Sequence, residues 1–454
     1  MESRKLHFAS ALTSQGWQED VTVAVDAAGL ITSVESSSRA GERVPGIAIP
    51  AMPNVHSHSH QRLMIGLAER AGPGADSFWT WRETMYGFAL RLSPDDLEAV
   101  AAQLYVEMLK SGFSVVGEFQ YLHHQPDGTP YDNPAEMSLR CMAAAEQSGI
   151  GITLLPTLYA FGGFGGQPPV EGQRRFINDA ERFLGIYERL EAESKGHALR
   201  RVGISPHSLR AVTPELLREE IAGIAPDAPI HIHVAEQVKE VDDCLAFFGK
   251  RPVEMLMAEF DVSDRWTAIH ATHITVRETS ALALSGAIVG LCPTTEANLG
   301  DGIFPAVDFM KARGAIAIGS DSHISVSPAE DLRMLEYSQR LRDRTRNALA
   351  GEPGQSTGRT LFEAACKGGA LSMRQPVGAI EVGKRCDIAV LDSDHPSLIG
   401  RSGDAALDTW IFSGGSPCVK DVFVAGRHVV RDRHHISEEQ IAARFRAAIG
   451  RLSS

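Results

Sequence analysis

From residue 51 to about 374 the chain repeats one pattern: a short apolar run, a polar end, then a stretch with helical spacing. Eight runs have this form, ending at His56 and His58, Glu118, Thr157, His207, Glu236, His270, Pro293 and Asp321. Brief runs rich in Ile and Val read as strands buried on both faces. Between them, Ser93 before Pro94 and Thr213 before Pro214 carry the cap-then-proline signature of helix starts. Strand followed by helix, repeated in this way, predicts an α/β fold, specifically a (β/α)8 TIM barrel. In that architecture the working side chains sit at the C-terminal ends of the strands.

The two ends of the chain read differently. Asp20 to Asp26 and Leu30 to Val34 alternate apolar and polar residues around the turn Ala27-Ala28-Gly29. Residues 422–430 form a second hairpin pattern around Ala425-Gly426. Residues 1–50 and 375–454 are therefore expected to join into one small β-sandwich domain beside a barrel of residues 51–374.

Composition narrows the partners. The 43% hydrophobic and 22% charged content is ordinary for a globular protein. A net charge of -13 argues against nucleic acid or an anionic membrane as partner. An anionic small molecule would need local arginines. The six cysteines are scattered without a Cys-x-x-Cys pair, which fits a reducing cytoplasm. No signal core follows the N-terminus, and no run approaches the roughly 20 apolar residues of a membrane span.

Candidate chemistry gathers at the strand ends. His56 and His58, two residues apart, share one face of an extended strand. Alone, such a pair is more often two ordinary polar residues. With His233 and Asp321 at the same predicted rim, it offers three imidazoles and a carboxylate to one zinc-type ion. Glu236, three residues after His233, is placed either to shuttle protons or to favour the next helix dipole. His270 is placed to hold charge that develops during reaction. His231, one step deeper than His233, reads as a supporting residue, Glu118 is a weaker candidate, and the role of His60 is open.

The strings His56-Ser57-His58, His233-Val234-Ala235-Glu236, His270 and Ser320-Asp321-Ser322-His323, with Gly383-Lys384-Arg385-Cys386-Asp387 near the C-terminus, resemble the amidohydrolase superfamily. Binuclear members carry a bridging Lys at the end of strand four, where this chain has Ser205-Pro206-His207-Ser208. The resemblance thus implies a single ion, Zn2+ foremost, with Fe2+ accepted by the same ligands. Longer strings at 77–82, 117–124, 205–210 and 292–302 resemble the formimidoylglutamate deiminases of histidine degradation. This implies hydrolytic release of ammonia from N-formimidoyl-L-glutamate by a cytoplasmic homodimer. It also implies metal binding by His56, His58, His233 and Asp321, catalysis by Glu236, His270 and Asp321, and substrate binding by Gln61, Arg82, Tyr121, His207 and Arg210. Two arginines suit a dicarboxylate, because each guanidinium can fork onto one carboxylate. Trp79 and Trp81 read as packing residues, and 79–86 as a loop over the mouth. Two other readings use the same frame: a deaminase of a cyclic amidine such as guanine, and a non-catalytic scaffold.

Overall fold

The computed structural model describes residues 3–70 and 78–452, so Ser77, which opens one of the strings above, lies outside the described residues. The chain opens with β1 (Arg4–Thr13), β2 (Gly16–Val25), β3 (Ile31–Glu35) and β4 (Glu42–Pro50). The apolar runs then appear in order as β5 (Met52–Ser57), β6 (Phe113–Gln120), β7 (Gly151–Leu158), β8 (Arg200–Val202) with β9 (Ser205–Pro206), β10 (Ile230–Val234), β11 (Trp266–His270), β12 (Ile288–Leu291) and β13 (Ala315–Ile318). The C-terminal part contributes β14 (Ile388–Leu391), β15 (Val419–Val424), β16 (Arg427–Arg431) and β17 (His434–His435).

Strands β5 to β8 form one parallel sheet, with β9 pairing to β7, and β10 to β13 form another. Every residue of β6, β7, β10 and β11 is buried, as expected for parallel strands covered on both faces. Isolated parallel bridges link the sheets at both edges: Ile204 with Ile230 and Ser208 with His233 on one side, Ser57 with Asp321 on the other. Helices fill the intervals. The helix Pro94–Ser111 starts on a capping box between Ser93 and Asp96, and Pro214–Ala222 starts on the Thr213 hydroxyl, as their sequences foretell. Residues 79–86 differ from expectation. They belong to the helix Phe78–Ala89, which buries Met85, Tyr86 and Ala89.

The terminal strands combine into a single eight-stranded sheet of order β17-β16-β15-β14-β4-β1-β2-β3. Its turn at Ala425-Gly426 takes positive φ at both residues (49° and 73°), the geometry that suits a two-residue hairpin. The Arg385 string ties this sheet to the strand layer. Buried Arg385 forks onto Asp387 at 3.0 and 2.7 Å and reaches Gln375 Oε1 at 2.6 Å. Gln375 in turn donates to Ile152 O and Thr153 Oγ1, both at 3.0 Å, on β7. With its carboxylate accepting both guanidinium bonds and the Ala425 N–H, this buried ion pair has its hydrogen-bonding needs met.

Candidate metal centre and active site

The rim of the strand layer is assembled by backbone. Asp321 N donates to His56 O at 2.9 Å and His58 N donates to Asp321 O at 3.2 Å, so the first and last parallel strands are laced beside the histidine pair. Gly319 makes that approach possible: a Cβ there would stand 2.6 Å from His56 Cβ. Several rim residues hold left-handed backbone: Ala235 (φ 51°), His270 (67°), Asp321 (48°) and His323 (64°). Such conformations are costly for residues other than glycine and cluster where side chains must be aimed.

His56, His58 and His233 bring ring nitrogens within 4.8 Å of one another, and ring nitrogens of His56 and His270 come equally close to a carboxylate oxygen of Asp321. His58 Nδ1 donates to Phe119 O at 2.9 Å and His233 Nδ1 to His207 O at 3.0 Å. Those bonds place the ring proton on Nδ1 and turn the Nε2 lone pairs inward. Burial holds His56 and His233 well below the usual imidazole range and His58 at about 3, so all three are neutral. His233 Nε2 lies 3.0 Å from His56 Nε2, and Asp321 Oδ1 lies 3.6 and 3.5 Å from His56 and His58 Nε2. Neutral imidazoles with converging lone pairs beside a carboxylate fit one cation, whose ligands at ~2.1 Å would stand a little over 3 Å apart.

Next to this cluster, His270 Nε2 lies 3.8 Å from Asp321 Oδ2 and 3.9 Å from Glu236 Oε1. Its Nδ1 donates to Glu296 Oε1 at 3.2 Å. Burial disfavours charge on this ring, but Glu236, Glu296 and Asp321 together outweigh it and raise His270 to about 10. It is an imidazolium at neutral pH, unlike the three neutral histidines beside it. Burial pushes the Asp321 carboxyl up to about 7, with His270 pulling the other way.

One cavity is lined by His58, Gln61, Arg82, Tyr121, His207, Arg210, His233, Glu236, His270 and Asp321, together with aromatic and apolar residues. Of the residues expected to bind metal, catalyse or bind substrate, it therefore gathers all but His56, which lies fully buried. Gln61 Nε2 donates to Tyr121 Oη at 2.9 Å, and His60 Nε2, from behind the cavity lining, meets the same hydroxyl at 3.0 Å. Gln61 Oε1, Arg82 Nε and Arg210 Nε are buried without hydrogen-bond partners among the described residues. Unmet buried polar groups are costly, and three of them around one cavity leave bonding capacity for a ligand.

Some residues lie outside this cavity. His231 Nε2 donates to Ser372 O at 3.1 Å, deeper among the strands. Glu118 sits behind the histidine pair and accepts from Ser57 Oγ, Ser59 N and Tyr105 Oη at 2.7, 2.7 and 3.0 Å. Glu296 has no part in the sequence reading. It lies 26 residues from His270, and only its position in the string at 292–302 marked it.

The amidohydrolase family model matches residues 47–429. The chain belongs to the amidohydrolase family. It is 52% identical over 446 residues to a formimidoylglutamate deiminase of Pseudomonas aeruginosa, covering 97% of this chain and 98% of that protein. An 8-oxoguanine deaminase of the same organism is 26% identical, over 78% of this chain and 76% of that one. Among solved structures, an amidohydrolase from Brucella melitensis superposes with a TM-score of 0.94 at 49% identity, covering 99% and 100% of the two chains. A zinc-bound adenosine deaminase from Xanthomonas campestris shares the fold, with a TM-score of 0.82 at 21% identity over 99% and 98%.

Proposed function

We propose that this amidohydrolase hydrolyses N-formimidoyl-L-glutamate to N-formyl-L-glutamate and ammonia, as a cytoplasmic homodimer in histidine degradation. The observation that carries the reading is the pairing of Arg82 and Arg210, without ion pairs among the described residues, in the same cavity as the His/Asp cluster. A nucleobase deaminase has no use for two such cations. The 52% identity to a formimidoylglutamate deiminase supports the same substrate. We read the two parallel sheets, bridged at both edges, as one (β/α)8 barrel spanning 51–374, and the terminal sheet as a folded sandwich of 1–50 and 375–454.

His56, His58, His233 and Asp321 would hold a single divalent ion, Zn2+ foremost, since three nitrogens and one oxygen suit it and Fe2+ accepts the same set. When bound, such an ion acidifies water and so makes a nucleophile available near neutral pH. Asp321 Oδ2 accepts the proton that water gives up. Arg82 and Arg210 fork onto the two carboxylates, while Gln61, Tyr121 and His207 fix the chain between them. Glu236 carries protons to the formimino nitrogen, which leaves as ammonia. Cationic His270 steadies the tetrahedral intermediate electrostatically. Water supplies the oxygen that replaces nitrogen, so no redox partner is needed. The test is ammonia release from N-formimidoyl-L-glutamate by metal-replete protein; undetectable turnover would refute the substrate assignment.

A further inference from the structure

Outside the catalytic cavity lies a second one, lined by Trp79, Arg82, Arg210, Lys239, Asp243 and Phe247 among others. Arg82 and Arg210 line both cavities, so these two residues connect the outer one to the inner. Trp79 collects the positive charge. The Arg82 guanidinium sits 4.6 Å from its ring centroid, the Arg210 guanidinium 5.8 Å and the Lys239 ammonium 6.0 Å. Three cations around one indole repel each other, and the electron-rich ring face offsets part of that repulsion without neutralising them. Among the described residues neither arginine is in ion-pair contact with a carboxylate, although Glu240 and Glu236 favour the charge on Arg210 from further off. Among the described residues Lys239 pairs with Asp243, at 2.6 Å in an exposed i,i+4 pair. Pairs of that kind are worth little and exchange readily for another anion.

A dicarboxylate of net negative charge approaching a protein of net charge -13 is repelled at long range, so a local positive mouth decides how often it arrives productively. We propose that this outer cavity is a carboxylate-capture subsite, in which Lys239 and the outward faces of Arg82 and Arg210, organised by Trp79, take a carboxylate of the substrate before it passes to the inner cavity. The inference rests on the dicarboxylate reading above. Lys239 touches no reacting atom. It acts on arrival and binding. Trp79, read from sequence as packing, becomes the residue that keeps the cations together.

Glutarate, a dicarboxylate lacking the formimino group, tests the subsite independently of turnover. The Trp79 signal is the fluorescence of the wild type minus that of Trp79→Phe. At about 0.02 M ionic strength it should change saturably with glutarate. Lys239→Met should weaken binding about threefold, as expected for one charge at this distance, and Lys239→Arg should restore it. At about 0.5 M salt the gap should close. kcat/KM on N-formimidoyl-L-glutamate should fall in parallel at low salt. Where Trp79→Phe does not fold, calorimetric titration of glutarate into wild type and Lys239→Met reads the same difference. Equal glutarate affinity in those two proteins at low salt, or a Trp79 signal blind to glutarate, overturns the subsite. A Lys239-dependent glutarate response in protein that does not turn over formimidoylglutamate leaves the subsite standing and removes the substrate assignment instead.

Discussion

Ser57 Oγ donates to Glu118 Oε2 at 2.7 Å, directly behind the two histidines it separates. The same hydroxyl lies 3.2 Å from His323 Nε2, and His323 Nδ1 lies 3.0 Å from Ser320 Oγ, which accepts from Asn54 at 2.7 Å. A buried relay thus runs from the second strand of the parallel layer, through Ser57 at the end of β5, to the residue preceding Asp321. Each member has a partner, so the relay fixes the ligand-bearing backbone rather than straining it.

Glu118→Ala should therefore weaken metal retention by about 10- to 100-fold, although Glu118 donates nothing to the ion. Dialysis against graded chelator, with metal content per chain read by atomic absorption, checks this. Wild-type retention in the variant would make Glu118 a core residue only.

Removal of all metal by chelation should abolish ammonia release while leaving the circular dichroism spectrum near native, because the four proposed ligands are held by backbone lacing and hydrogen bonds of their own. Zn2+ or Fe2+ should restore activity, and comparing the two identifies the preferred ion.

Arg82→Met and Arg210→Met should each lower kcat/KM on N-formimidoyl-L-glutamate by about 100-fold, the cost of losing a charge-assisted fork in a desolvated pocket. Arg→Lys at either position should recover only part of that, since an ammonium cannot present the planar fork. Steady-state kinetics decide, and unchanged kcat/KM in both variants would favour a substrate without carboxylates.

Glu296→Gln should lower kcat by about tenfold or more with a smaller change in KM. Its carboxylate accepts from His270 Nδ1 and from Cys292 N at 2.9 Å, and it is one of three that keep His270 charged. An amide retains the shape and removes the negative charge. A change confined to KM would place Glu296 in substrate binding instead.

Glu220, on the helix Pro214–Ala222, is fully buried, and neither carboxyl oxygen has a partner among the described residues. Burial alone pushes its pKa well above the carboxylate range. The folded protein keeps a proton that the unfolded chain releases above about pH 4.3. Its contribution to stability is thus greatest below that pH and falls as pH rises towards the folded-state pKa. Thermal melts of wild type and Glu220→Gln should show a difference, variant minus wild type, that grows from pH 5 to pH 8. A pH-independent difference contradicts this.

The sequence by itself determined the strand and helix units, because a strand's period of two and a proline-anchored cap are local properties. It put His56 and His58 on one face and His233, His270 and Asp321 at strand ends, and those ends meet at one rim because parallel strands all point the same way. It did not determine that His270 is cationic while its neighbours are neutral. That difference depends on which carboxylates stand within about 4 Å: Glu236 and Asp321 follow two different strands, and Glu296 sits on the helix Pro293–Leu299. Nor did it disclose Glu118 behind the ligands or Trp79 among three cations, since neither residue differs in type from an ordinary buried acid or packing aromatic. Burial and through-space charge are properties of the assembled chain. Only the tertiary structure brings residues tens of positions apart close enough for one to set the charge of another.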